Sequence, residues 1–371
     1  MCGKNDENYK TDENGNFREI DLVVVGVENE NESTEFLQRL SDEAGHVPVN
    51  SEPLNVPVWF DAEKFKKGQQ FFFKNYYAMF VTKLCGLIVV LSVPTVLKVL
   101  ILTGKSNTPA RAFRRYIDTI ANVLEWYSSD LTEINSDSRK ALITVRGKHC
   151  AASKKATSNG VGFISQRDMA LTQFGFIGVA ISKGKTLGFV GTDEEFEGFI
   201  HVWRTIGYCM GIEDRFNICN GSVNQVVEVC NRLTNEVFKP YLEKPCENFN
   251  EMCAALLNGL KPVVPSLTVN SFMEVCRRNM NLEAKEVDGI YSKCMLALLL
   301  YIHNVVLSVW WVAVIFRPFL NWMLRFSVYC NIKFPLVAYL TMGKEAWTDN
   351  NETHHHNTGE FHHNVAVVKA N

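Results

Sequence analysis

The chain has 371 residues, 47% of them apolar and 21% charged, and a formal net charge of −2. That length suits one large domain or two. The 24 Phe and 7 Trp exclude a wholly disordered chain, and the lack of a basic excess argues against a general nucleic-acid binder.

The near-neutral sum hides an asymmetry. Residues 1–57 carry 13 acidic and 4 basic side chains, a net of −9, which leaves the rest of the chain at +7. A basic body favours anionic cofactors or lipid surfaces. The leader, residues 1–57, is rich in Asn, Glu, Asp and Ser and is expected to be flexible. One apolar run, Ile20–Val27, reads as a strand or a docking segment. The N-terminus has no apolar stretch of signal-peptide type and no Gly at position 2, so neither a cleaved signal nor myristoylation is indicated.

From Val58 the composition turns apolar and aromatic, and a body over 58–290 is expected to be all-α. Leu84–Thr103 reads as a buried core helix, split near Pro94. Thr108-Pro109 is a helix start, with a capping hydroxyl and Pro in the first turn. Phe113, Ile117, Ile120, Leu124 and Tyr127 follow at helical spacing. A helix over Ser136–Ser153 places Leu142, Val145, His149 and Ala152 on one face, and Thr157–Gly160 is a loop. Phe163–Ile181 is apolar nearly all round, as in a central helix. Thr192-Asp193-Glu194-Glu195 is a capping box that opens a helix striped with Phe196, Phe199, Ile200, Trp203, Ile206 and Met210.

Apolar C-terminal helices are expected over 291–345. Cys294–Phe316 holds no Asp, Glu, Lys or Arg over 23 residues, enough to cross a bilayer. His303 and Asn304 inside it suit a buried helix instead. Phe319–Met342, with Arg325, Lys333 and Pro335, reads as an interfacial or packing segment. The tail, 346–371, is polar and His-rich. If Cys294–Phe316 spans, the tail enters the lumen and Asn351-Glu352-Thr353 becomes a glycosylation acceptor.

The 11 Cys form no C-x-x-C pair. Cys85, Cys209 and Cys294 sit in apolar runs and read as buried, reduced thiols. Of nine His, five lie in the tail, where a metal site is weakly supported. No H-E-x-x-H, G-x-S-x-G, Walker A or G-x-G-x-x-G occurs, which excludes the zincin, hydrolase-elbow and common nucleotide classes. A metal site built on one His remains, and haem with a single axial His is the commonest. On a helical wheel, His201 falls opposite its helix's apolar stripe, at a packing edge. His149 falls within its stripe, with Arg146 nearby. A core His bonded to backbone is the bland reading of His149.

Several segments recur in order: Gly68-Gln69, Leu102-Thr103-Gly104, Arg114-Arg115-Tyr116-Ile117-Asp118-Thr119, Arg146-Gly147-Lys148-His149, Ser165–Phe176 and His201–Tyr208. Over roughly residues 58–235 this set resembles the rubber oxygenase (latex clearing protein) family, which includes the fungal ER-bound oxygenase of mycophenolic acid biosynthesis. The resemblance implies a globin-related all-α core holding one haem b. It makes His149 of the R-x-x-H pattern the axial iron ligand, with Arg146, Ser153, Met169 and Thr172 as cofactor-binding residues. It implies Arg115, Asp118 and Thr119 as the catalytic set, on a helix over the distal face. The implied reaction cleaves a C=C bond of an isoprenoid or other unsaturated lipid with O₂, at an ER membrane with the haem domain facing the cytosol. Two positions depart from the family: Asp118 stands where rubber oxygenases have Lys, and Ser153 where they have a second Arg. Three readings compete: a haem-dependent oxygenase, a non-catalytic haem- or lipid-binding protein on the same fold, and a membrane-associated adaptor without cofactor.

Overall fold

The structure is a computed structural model that describes residues 27–49 and 54–347. The run from Ile20, except its last residue, lies outside the described residues, as do the tail histidines and the Asn351 acceptor. No strand occurs among the described residues, and the all-α expectation holds. In chain order the helices are α1 (Val27–Asp42), α2 (Ala62–Lys74), α3 (Tyr76–Leu91), α4 (Pro94–Thr103), α5 (Pro109–Ser128), α6 (Asp137–Ser158), α7 (Gln166–Lys183), α8 (Asp193–Cys209) and α9 (Val223–Arg232). Then come α10 (Lys239–Glu243), α11 (Phe249–Gly259), α12 (Val269–Asn279), α13 (Ile290–Tyr301), α14 (Trp310–Lys333) and α15 (Leu336–Met342).

Local signals account for many helix starts. Thr108 caps α5, Ser136 caps α6 and Thr192 closes a full capping box on α8. Each such cap contributes about 1 kcal/mol by satisfying an N–H that has no partner inside its helix. The apolar run around Pro94 divides as the proline requires, into α3 and α4. All six residues of the Phe196–Met210 stripe are buried.

Two glycine contacts set the core. A Cβ on Gly86 of α3 would overlap the Gly175 carbonyl oxygen of α7, and a Cβ on Gly68 of α2 would overlap the Gly198 carbonyl oxygen of α8. Backbone therefore meets backbone at both crossings, closer than side chains allow. Between α2 and α3 the chain turns by 92° at Asn75. The buried Asn75 side chain donates to Phe71 O and Val190 O and accepts from Val190 N.

The leader departs from expectation. Val27–Asp42 is helical, and the segment behind it docks on α7. Gln166 N and Arg167 N, two N–H groups at the start of α7, donate to Val47 O at 2.8 Å and Ala44 O at 3.1 Å. Arg232 of α9 donates to Thr34 Oγ1 at 2.6 Å. These donors would otherwise be orphaned at a helix end, so residues 27–49 belong to the fold rather than to a flexible leader.

The C-terminal segment also differs. Cys294–Phe316 is not one helix: a π-turn over Ile302–Val306 and an extended residue at Val309 break it. His303 turns inward and its Nδ1 lies 3.1 Å from Leu187 O. The buried Arg317 guanidinium donates to Gly188 O and Leu307 O, fixing α14 to the body. No single described helix is long and apolar enough to cross a membrane. Cys294 is exposed, not buried, because α13 leaves most of its surface uncovered.

Gly86→Ala is expected to lower stability by about 1–3 kcal/mol or more, since α7 backbone occupies the added methyl's place. Gly147 of α6 has nothing within 4 Å of its would-be Cβ, so Gly147→Ala should stabilise by about 0.5–1 kcal/mol. Urea midpoints for the pair check this; equal effects would refute the tight crossing.

Candidate functional site

Helix α6 is the least covered long helix of the body. Leu142 and Ala156 are fully buried near its two ends, yet no residue from Ile143 to Lys155 is buried. The helix runs to Ser158, five residues past the expected end, so the Thr157–Gly160 loop begins only at Asn159. His149 stands in the middle of the uncovered stretch. Val145, His149 and Ala152 are partly buried rather than fully interior.

His149 Nδ1 is shut off from solvent and has no hydrogen-bond partner. The backbone-bonded core histidine is therefore not what this nitrogen is. Desolvation pushes the imidazole pKa down to about 4, and the Arg115 and Lys148 cations push the same way. The ring is thus a neutral base at physiological pH, the form that binds metal ions.

Arg115 and Asp118 project from α5 into the seam with α6. Asp118 pairs with Lys148 at 3.9 Å, and Arg115 lies near enough to bear on His149. The Thr119 hydroxyl donates to Arg115 O at 2.9 Å, and the residue lines a cavity beside α5. Arg115 and Asp118 are half exposed, and the cavity that Thr119 lines is apolar.

The remaining candidates have structural partners. Arg146 donates to Cys209 O at 3.2 Å, tying α6 to the end of α8. Ser153 Oγ accepts from Ile164 N, holding the loop that leads to α7. Met169 is buried on α7, and Thr172 spends its hydroxyl on Asp168 O. The Ser165–Phe176 segment is largely architectural. Ser165 and Asp168 form a capping box. Gln173 donates to Trp203 O and Asn217 Oδ1 and accepts from Ile218 N. His201 sits at a packing edge as expected, accepting from Asp61 N at 3.0 Å. Among the described residues no cluster of three or more His, Cys, Asp or Glu can hold a metal ion.

The sequence reading missed Lys83. It is the one charged residue in the 16-residue α3, a signal that was present but lay one residue before the run taken as the core helix. Its stem lines a cavity of about 60 Å³ walled by α2, α3, α5 and α7, with Thr119 and Tyr116 opposite. Nζ is buried without a hydrogen-bond partner. Four aromatic rings surround it, at 4.6 Å (Phe72), 5.1 Å (Tyr127), 5.1 Å (Trp203) and 6.0 Å (Phe176). Desolvation pushes its pKa down to about 7.

An ammonium without a counter-ion costs the fold stability. Between about pH 7 and the ordinary lysine value of about 10.5 the unfolded chain holds a proton that the native chain lacks, so stability rises with pH in that window. Lys83→Met should raise the urea midpoint at pH 7, with a smaller gain at pH 9. A variant less stable than the parent at pH 7 would mean that the ring faces more than repay the desolvation.

The family model described as "ER-bound oxygenase mpaB/B'/Rubber oxygenase, catalytic domain" matches residues 72–328. A solved structure of latex clearing protein in its closed state shares the fold at a TM-score of 0.56 and 15% identity, covering 82% of this chain and 87% of that one. No curated protein sequence matches. The matched span contains α3 to α13, and with them Lys83, Arg115, Asp118, Thr119 and His149. This chain belongs to the family of ER-bound and rubber oxygenase catalytic domains.

Proposed function

We propose that the protein is a haem-b-dependent oxygenase that oxidises a C=C bond of an isoprenoid or other unsaturated lipid with O₂. The observation that carries this reading is His149, a buried, unpartnered imidazole nitrogen held neutral on the uncovered face of α6. The donor set fits a haem. His149 would hold the iron, and Arg115 and Lys148 would supply positive charge for the propionates. Haem would sit against the bare stretch of α6, at its seam with α5.

Haem iron, when bound, supplies the O₂ chemistry that no side chain here provides. The chain's own residues do the rest. Arg146 and Ser153 hold α6 at both sides of His149, through Cys209 O and Ile164 N. The Asp118–Lys148 pair spans the α5–α6 seam. Thr119 contributes a hydroxyl at the cavity, and Met169 and Thr172 are kept as cofactor-binding candidates on the resemblance alone. Phe72, Phe176, Ile120 and Leu260 exclude water from the cavity and suit a hydrocarbon substrate.

Purified protein reconstituted with haem should show a Soret band that His149→Ala abolishes, and hydrogen exchange across 143–155 should slow on loading. A Soret band unchanged in His149→Ala would refute the ligand assignment. Carbonyl products from unsaturated terpenoids under O₂ separate an oxygenase from a haem carrier.

The membrane surface is the second partner. Among the described residues, 20 of the 27 exposed large apolar side chains fall within residues 290–347, among them Trp310, Trp311, Trp322 and Phe326. The same segment carries five Lys or Arg and one Glu. Aromatic and aliphatic side chains outward with scattered cations are the composition of helices lying in a lipid interface. The wild type should sediment with vesicles of phosphatidylcholine and phosphatidylserine. Trp322→Glu with Phe326→Glu should weaken this about tenfold or more; undiminished binding would remove α14 from the interface.

A further inference from the structure

The positive excess of the body has one address in the fold. Residues 102–118 and 143–158 hold eight Lys or Arg and one acidic residue, a net of +7, which is the whole excess of the chain beyond residue 57. The structure brings the two segments together. Lys155 Nζ of α6 donates to Leu102 O at 3.1 Å, and Arg111 Nη1 of α5 donates to Gly104 O at 3.4 Å. The one carboxylate in the two segments, Asp118, is engaged by Lys148. Lys105, Lys154 and Lys155 are exposed. An excess of this size gathered in one place attracts anions.

Two observations say which anion. The patch adjoins the aromatic C-terminal face: Arg111 Nε pairs with Glu345 at 2.7 Å, two residues before the exposed Trp347, whose ring meets that of Tyr339 at 5.6 Å. Apolar side chains also stand among the cations. Ile143 of α6 is exposed, as are Val161 and Phe163 in the loop that follows. That loop is folded back along α6, where Thr157 Oγ1 donates to Gly162 O at 3.3 Å and Ser153 Oγ accepts from Ile164 N at 3.0 Å. Cations interleaved with exposed aliphatic and aromatic side chains suit the head-group region of a lipid layer. A nucleic-acid backbone offers no apolar layer to receive them.

We propose that the α4–α5 turn and the C-terminal half of α6 form a cationic rim that docks on anionic phospholipid head groups, beside the apolar face of α14 and α15. His149 falls between Arg146 and Lys154 on the α6 part of this rim. Docking therefore turns the α5–α6 seam toward the bilayer, and an apolar substrate reaches the seam from lipid without crossing water. The choice of lipid over other anions rests on the membrane reading of α14, and the path of the substrate rests on the oxygenase reading.

Sedimentation of the full chain with two kinds of vesicle separates the two surfaces. Pure phosphatidylcholine reads the apolar face, and the gain from equal parts of phosphatidylcholine and phosphatidylserine reads the rim. That gain should be about tenfold or more and should shrink as salt is added. Lys105→Glu with Lys154→Glu should remove most of the gain and leave binding to pure phosphatidylcholine unchanged. Lys66→Glu with Lys67→Glu, the same charge change at exposed positions of α2, should keep it. No gain from phosphatidylserine, a gain that survives Lys105→Glu with Lys154→Glu, an equal loss in the α2 pair, or tighter binding to duplex DNA than to the mixed vesicles would each overturn the rim. A wild type that ignores pure phosphatidylcholine but binds the mixed vesicles would sink the membrane reading of α14 and leave the rim in place.

Discussion

The molecule depends on two places where helices touch without side chains between them. At Gly86–Gly175 and Gly68–Gly198 the backbones of α3 and α7, and of α2 and α8, are in direct contact. Each contact fixes an interaxial distance that no other residue pair permits. Around these fixed crossings the large rings can interdigitate. Phe72 stacks on Tyr127 at 3.8 Å between centroids, and Trp203 Nε1 donates to Tyr127 OH at 2.6 Å. The cage around Lys83 uses those same rings, so the position of the buried amine follows from the glycine contacts.

The other side of the body is built differently. Helix α6 makes few close contacts along its middle and is tied at discrete points, by Arg146 and Ser153. A loosely covered helix next to a rigid four-helix core is a reasonable place for a removable group, since space can open there without breaking the crossings. Burial with no partner leaves the His149 nitrogen free to bind, and desolvation, helped by two nearby cations, keeps a proton off it.

Much of the fold was legible because its signals are local. Thr108-Pro109 and the box at Thr192 depend on neighbours within one turn, and the Phe196–Met210 stripe depends only on helical period. What needed the third dimension was misread. The gap-free apolar stretch of Cys294–Phe316 looks like one helix, but His303 and Arg317 find carbonyl partners over 100 residues away and break it into two. The acidic leader looks mobile by composition, yet α7 needs its carbonyls. Lys83 has an unmistakable sequence signal, a lone charge in an apolar helix, but its meaning lies in four rings drawn from α2, α5, α7 and α8. For His149 the residue pattern indicated an interior stripe, whereas the structure leaves that stripe only partly covered and shows that Nδ1 has no partner. In the Ser165–Phe176 motif, Ser165, Asp168 and Gln173 wire a helix junction, which the residue order alone does not reveal.

The Arg317 anchor has a practical consequence. Its guanidinium fills backbone acceptors at Gly188 and Leu307 from within α14, and Asn321 and Asn331 do the same further along, at Lys74 O and Pro262 O. The C-terminal helices are therefore a wall of the body, not a tail attached to it. Cutting the chain near residue 290 to obtain a freely soluble fragment would strip carbonyls of their donors and lay open the cavity side of α3. Solubility is better sought by recolouring the outward face of α14, residue by residue, with the inward asparagines and Arg317 left in place.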